Sequence, residues 1–260
     1  MNRWIGFLVL AMVSVTAFFL VLPEAFAADL YMKQKVHTDA IQIMGMNQPA
    51  KDTVAEIWIT ENGFRTDDPE HSMIMLTAEQ KMIVIDHKEK TYMEQPLNLN
   101  EMMAEAVRDE GPEAQAAMRE QQAAMGQMMQ GMMNMEVTVE ETSATKTIGK
   151  WKCRKYIVTV ASPMMPMTTE VWATEDIQVD PKVYDQMTSR MVAGMPGMQS
   201  SMDAMKEKLK KIKGVQVMSV STANIMGQTQ KTTTELLDFK EAKAPANLFA
   251  VPAGYRKASR

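Results

Sequence analysis

Between Val54 and Glu94 apolar residues recur at every second position in short segments, and that period commits this part of the chain to sheet. In VAEIWIT, Ala55, Ile57 and Ile59 fall on one face and Glu56 and Thr60 on the other. Successive strand side chains point to opposite sides, so such a segment buries one face. The run ends at Asn62-Gly63, a pair that tolerates the positive φ of a tight hairpin. MIML, KMIVID and TYME follow, divided by polar stretches such as DHKEK. This spacing predicts an antiparallel meander, because alternating β-α units would need a helical crossover after each strand. MEVTVEE, KWKCRKYIVTV, MTTEVWAT, VQVMSVS and TTTELLDF extend the series to roughly nine to eleven strands.

Two stretches break that period. Asn98 with Glu101 three residues later has the form of a helix cap, and Gly111-Pro112 stops one helix and starts another. The second, roughly 112–134, aligns Ala114, Ala117, Met118, Met125, Met128, Met129, Met132 and Met133 on one helical face. Asp180-Pro181 opens a further insert, in which Tyr184, Met187, Met191, Met195, Met198, Met202, Met205, Leu209 and Ile212 recur every 3 or 4 residues. Gly194, Pro196 and Gly197 are expected to kink this helix, and Lys210, Lys211 and Lys213 suit the dipole of its last turn. The expected fold is therefore mainly β with helices (α+β): an open antiparallel half-barrel with Met-rich helices, at about 98–134 and 180–213, over its concave face.

Residues 1–27 read as a secretory signal peptide. Arg3 precedes an apolar run from Ile5 to Leu22, and Ala25-Phe26-Ala27 forms an A-x-A cleavage site. Export to a bacterial periplasm follows, leaving 28–260 as a single domain. The segment removed carries one basic and one acidic residue, so the mature chain keeps the formal net charge of −4. That mild acidity argues against nucleic acid, which needs a basic surface to neutralise phosphate. Cys153 is the only cysteine, so no internal disulfide forms and the fold rests on its core. A lone cysteine reads first as a small buried hydrophobe.

Nothing here points to catalysis. The chain lacks G-x-S-x-G, H-E-x-x-H, G-x-G-x-x-G and a Walker-type loop. Its three histidines, His37, His71 and His87, are far apart in sequence; a triad would need one of them beside a Ser or Cys153 and a carboxylate. No cofactor is expected.

Methionine is the unusual component, with 29 in the chain and six in the eleven residues of MGQMMQGMMNM, Met125 to Met135. Thioethers select soft ions, so Met125, Met128, Met129, Met132 and Met135 are the candidate ligands of a Cu(I) or Ag(I) site. His71, Met73 and Met75 offer an imidazole and two thioethers, with both methionines on one strand face. Yet the Met side chains are also the only apolar face each helix has, so packing claims them first. Met is unbranched and polarizable, and a Met-lined surface repacks around varied apolar partners. A core required only for stability would be better specified by Leu and Ile.

Some segments resemble a known family. They are NGFRTDD (62–68), MIVIDHKEKTYME (82–94), IGKWKCRKY (148–156), the VW of TEVWATED, and LFAVPAGYRK (248–257). In this order they are similar to a bacterial exported family of unknown function with a lipoprotein-carrier (LolA/LolB-like) fold. The resemblance implies an open β half-barrel covered by helices, with a cavity that in carriers of that fold holds acyl chains. It implies no catalytic residues.

The expected function is that of a periplasmic, non-enzymatic binding protein. A lipid, acylated protein or other hydrophobic ligand would lie between the sheet and the Met-rich helices. The candidate contacts are Met118, Met125, Met128, Met129, Met132, Met187, Met191, Met195, Met198 and Met202, with Trp58 and Trp172 on the sheet. A Cu(I)/Ag(I)-binding protein is the alternative, and a structural or partner-binding module with a filled core is the third reading.

Overall fold

A computed structural model describes residues 29–43, 46–97, 136–161, 166–177, 205, 207–225 and 227–258. The strands form two sequence-local meanders. β4 (Lys51–Ile59), β5 (Gly63–Asp67), β6 (His71–Leu76), β7 (Lys81–Asp86) and β8 (Thr91–Pro96) make the first. β9 (Glu136–Ile148), β10 (Trp151–Ala161), β11 (Met167–Thr174), β12 (Val215–Ile225) and β13 (Gln228–Glu241) make the second. β1 (Leu30–Thr38) lies between them, antiparallel to β4 on one side and to β13 on the other. β14 (Arg256–Lys257) adds a parallel edge to β8, which completes one sheet of 12 strands in the order β14-β8-β7-β6-β5-β4-β1-β13-β12-β11-β10-β9. β2 (Ile41–Ile43) and β3 (Met46–Gln48) pair separately as a hairpin.

Local chemistry sets these elements. The polar Glu61 and Asn62 turn β4 into β5. Gly63 is required at its position because a Cβ there would collide with the carbonyl oxygen of Met75 on the next strand. Ile57 and Ile59 are buried beside Leu30 and Met32 of β1, in a core cluster with Ile148, Trp151, Cys153, Val215, Val217 and Leu236. A second cluster joins Val137, Val139, Tyr156, Val158 and Val171 to Leu209 and Ile212 from the segment before β12. Gly214, at φ +85°, makes the turn from that segment into β12.

The C-terminal segment covers one face of the first meander. Phe249, Val251 and Tyr255 pack on Ile74, Ile83 and Ile85 with Leu76 and Tyr92. Arg256 N donates to Lys90 O and Ala258 N to Tyr92 O. Lys257 donates to Glu94 at 2.5 Å and holds that carboxyl below its usual range.

The expected α+β half-barrel with helices over its concave face is corrected by this structure. Among the described residues the protein is nearly all sheet, dominated by one large open sheet of 12 strands, and no helix covers a concave face. Helical residues there are confined to Met205 and 207–209. The error has a physical origin. Strand and helix periods are local signals, whereas the size and openness of the sheet are set by the long-range pairing of β1 with β13. Most of the expected inserts, 98–134 and 180–204, lie outside the described residues, as does the 1–27 segment.

Candidate functional site

The register of β5 to β8 builds a methionine-lined face. Phe64 lies directly opposite Met75, Met75 opposite Met82, and Met82 opposite Gln95. One row along, Thr66 is opposite Met73, Met73 opposite Val84, and Val84 opposite Met93. Directly opposed residues share a face, so these two rows form one patch. Met73, Met75, Met82, Val84 and Met93 are all half-buried. The other face of the same strands carries Ile74, Ile83 and Ile85, buried under the C-terminal segment. Pleating thus separates a closed isoleucine face from a more open methionine face. Gln95 ends the first row, and its Oε1 is the one buried side-chain oxygen without a hydrogen-bond partner among the described residues.

Below the C-terminal segment lies a polar cluster with some of the residues of a nucleophilic site. Ser72, 1% exposed, has its Oγ 2.7 Å from His87 Nε2 and also bonds Asp67 Oδ1. His87 Nδ1 is 2.9 Å from the Tyr255 hydroxyl. Arg65 donates from Nε to both Asp67 oxygens, and from Nη1 to the Leu248 carbonyl at 2.5 Å and the Ala250 carbonyl at 3.3 Å. An ionised carboxylate only accepts. With Asp67 accepting, Ser72 donates to it, which leaves its oxygen to accept from His87 Nε2–H; in the neutral imidazole of that tautomer Nδ1 accepts from Tyr255. In that tautomer all the protons point toward Asp67. In a serine nucleophile the direction is reversed, with histidine accepting the hydroxyl proton. The cluster is a chain of donors that ties the C-terminal segment to the sheet.

The other histidines also serve local contacts. His37 lies 3.1 Å from both Asp39 and Asp52, and Asp68 Oδ1 is 3.8 Å from His71 Nδ1 while accepting the His71 backbone N–H. Among the described residues no group of three His, Cys, Asp or Glu side chains is placed to hold a metal ion.

An open cleft of about 550 Å³ lies where β9, β10 and β11 end, lined in part by Thr145, Lys152, Arg154, Tyr156, Asp176 and Lys213. Two of its charged side chains are engaged locally: Arg154 pairs with Glu141, and Asp176 accepts the Lys152 backbone N–H at 3.0 Å. Cys153 borders it but is 2% exposed, and burial pushes its thiol up to about 11, which removes the thiolate that nucleophilic chemistry needs.

Of the candidate ligand contacts named from the sequence, Trp58 and Trp172 are described. Trp58 is opposite Tyr31, with ring centroids 5.1 Å apart, on the side of β4 away from Ile57 and Ile59. Trp172 packs against the main core cluster, with Lys146 Nζ 4.1 Å above its ring. The register does not bring the two rings together. Met118, Met125, Met128, Met129, Met132, Met135, Met187, Met191, Met195, Met198 and Met202 lie outside the described residues. Sequence reasoning placed Met73 and Met75 on one face but missed Met82 and Met93. Their signal was the same alternation in KMIVID and TYME, read across strands.

Fold and site together define a β-rich protein on one open, essentially antiparallel sheet, with one meander face closed by the chain's own C-terminal segment. The chain belongs to the family described as "Domain of unknown function (DUF4412)", whose family model matches residues 112–255. That match runs from before β9 to Tyr255 and leaves out the strands carrying the Met-lined face. A solved structure of PNGF-II in the C2 space group is similar at 13% identity, with a TM-score of 0.35, covering 90% of this chain and 31% of that one. The chain thus spans under a third of that protein's length, and a likeness this distant carries no argument about activity. No curated protein matches the sequence.

Proposed function

We propose that the protein is an exported, non-enzymatic binding protein for a hydrophobic ligand, the acyl chain of a lipid or acylated protein, and that this chain lies on the Met-lined face of β5 to β8. The observation that carries the reading is the contrast between the two faces of the same strands. Where the face is closed the residues are Ile, the β-branched type that strands favour. Where it is half-open they are Met73, Met75, Met82 and Met93, whose flexible thioethers reshape around a guest. Gln95 Oε1 offers an acceptor for a donor at the head of the ligand, such as the amide N–H that joins an acyl chain to a protein. Meeting it would recover part of the roughly 1–3 kcal/mol that an unsatisfied buried acceptor costs. Export to the periplasm belongs to the same proposal and is supported by Arg3, the apolar run Ile5 to Leu22 and Ala25-Phe26-Ala27.

The test is a titration of the purified protein with a fluorescent fatty acid. Saturable binding is expected, weakened at least about tenfold by Met73→Glu or Met82→Lys, since a charge under the alkyl chain must be desolvated without a partner. Equal affinity in both variants and the parent protein would remove this face as the site.

A further inference from the structure

The same register places four methionines within one patch of the face. Met82 is the hub. It is directly opposite Met75, and Met73 and Met93 each lie two residues along a neighbouring strand from a residue that Met82 faces. Directly opposed Cβ atoms stand about 5 Å apart and diagonal ones about 7–8 Å. A methionine carries its sulfur two bonds beyond Cβ and swings it about two freely rotating bonds, so the sulfurs of Met73, Met75 and Met82 can converge above the sheet, with Met93 approaching from β8. The surroundings also suit a soft, low-charge ion. Val84 and Phe64 are apolar neighbours in the two rows, and Asp86 is the one carboxylate that alternation places on this face of β6 to β8.

We propose that Met73, Met75, Met82 and Met93 form a soft-metal site that takes Cu(I) or Ag(I). Thioether sulfur selects these monovalent ions over Zn(II), Mg(II) or Ca(II), for which the face offers neither thiolates nor an oxygen cage. The site goes beyond the apolar-ligand reading and does not depend on it, because it needs the sulfur atoms whereas an acyl chain needs only their apolar surface.

The probe is Ag(I), titrated into full-length protein carrying ¹³C-methyl methionine and followed by NMR. The methyl signals of Met73, Met75, Met82 and Met93 are expected to shift together with the first equivalent. A first equivalent that moves other methionines and leaves these four in place would overturn the site. A second measurement uses M73L/M75L/M82L, which conserves volume and apolarity. Ag(I) affinity is expected to fall at least about tenfold, the loss that even second-sphere changes cause, with fatty-acid binding retained. Unchanged Ag(I) affinity in this variant would also sink the proposal. Retained Ag(I) binding in the variant would count against the site whatever happens to fatty-acid binding, whereas absence of fatty-acid binding in the parent protein would count against the apolar-ligand reading alone. Should the triple variant fail to fold, Met82→Leu alone removes the hub and is read in the same way.

Discussion

The Ser72 hydroxyl oxygen lies 2.7 Å from His87 Nε2, and the Ser72–Asp67 bond assigns the proton between them to the histidine. Asp67 fixes the direction, since it can only accept and Ser72 is its donor. A serine that already gives its proton to a carboxylate is held as a structural group.

Ser72 is accordingly expected to stay unlabelled by fluorophosphonate probes that react with activated serines, as read by intact mass. Tyr255→Phe removes the outermost donor and should cost about 1 kcal/mol, the usual net worth of one hydrogen bond. Its signature is local. Hydrogen exchange should quicken in 248–258 and at Thr91 and Tyr92, while β10 to β12 remain protected. Uniform exchange in the variant and the parent would show that the tyrosine does not hold the tail.

Arg65→Met should be costlier than Tyr255→Phe. It strands Asp67 without its cation and leaves the carbonyls of Leu248 and Ala250 without this donor, at roughly 2–3 kcal/mol or more. The urea midpoint measures this, with the slope unchanged if only stability is altered.

Cys153 predicts a pH dependence of known sign. Burial raises its thiol from the ordinary 9.0 to about 11, so the unfolded chain loses this proton first. The native state then binds more protons, and stability falls as pH rises from 9 to 11, by at most about 3 kcal/mol at about 1.4 kcal/mol per unit. Below pH 8 the thiol adds no slope. Denaturation of wild type and Cys153→Ala across pH 8–11 measures the difference, and parallel curves would contradict it.

Gly214→Ala is expected to be among the most damaging single substitutions in the described fold. Its φ of +85° is unfavourable for an alanine, and the added methyl would collide with the Thr174 carbonyl and approach Glu175 N at 2.8 Å. A loss of about 3 kcal/mol or more follows from strain and overlap together. Gly227→Ala is a control for the strain alone, with φ +81° and nothing within 4 Å. Similar thermal shifts for the two would show that the collision is relieved.

Acyl-chain length offers a graded test of the proposed function. Each methylene buried contributes about 0.8 kcal/mol, so affinity should rise up to about fourfold per CH₂ and less where the chain stays half-exposed. Association itself costs at least about 4 kcal/mol, so chains of a few carbons should not bind measurably. Isothermal titration of a homologous fatty-acid series supplies the slope, and a flat series would exclude the apolar face as the source of affinity.

Most of the strands were legible in the sequence, because alternation is a local property. MTTEVWAT is β11 residue for residue, KMIVID is β7, and the Asn62-Gly63 signal sits at the β4–β5 turn. Ile57 and Ile59 are buried as their spacing required. The reading failed where partners are remote. His87 meets Tyr255 across 168 residues of chain, and neither residue's neighbours announce the other. Met82 and Met93 join Met73 and Met75 only once the register is known. The family resemblance, drawn from short motifs, carried over to a family of unknown function, but the helix-covered half-barrel it implied did not. That error grew from helical stripes that say nothing about how many strands join one sheet.

The seam between β1 and β13 has a consequence for the order of assembly. Each meander can form from neighbouring hairpins, but Leu30 finds Glu241 only after roughly 200 residues have been released. Such a distant closure is slow, because loop entropy is lost before the contacts form. Until β13 arrives, the β1–β4 half presents a bare seam strand to any passing chain. A chain delivered N-terminus first exposes that strand until β13 follows. A polypeptide stalled partway would be a sheet with half of its ladder missing.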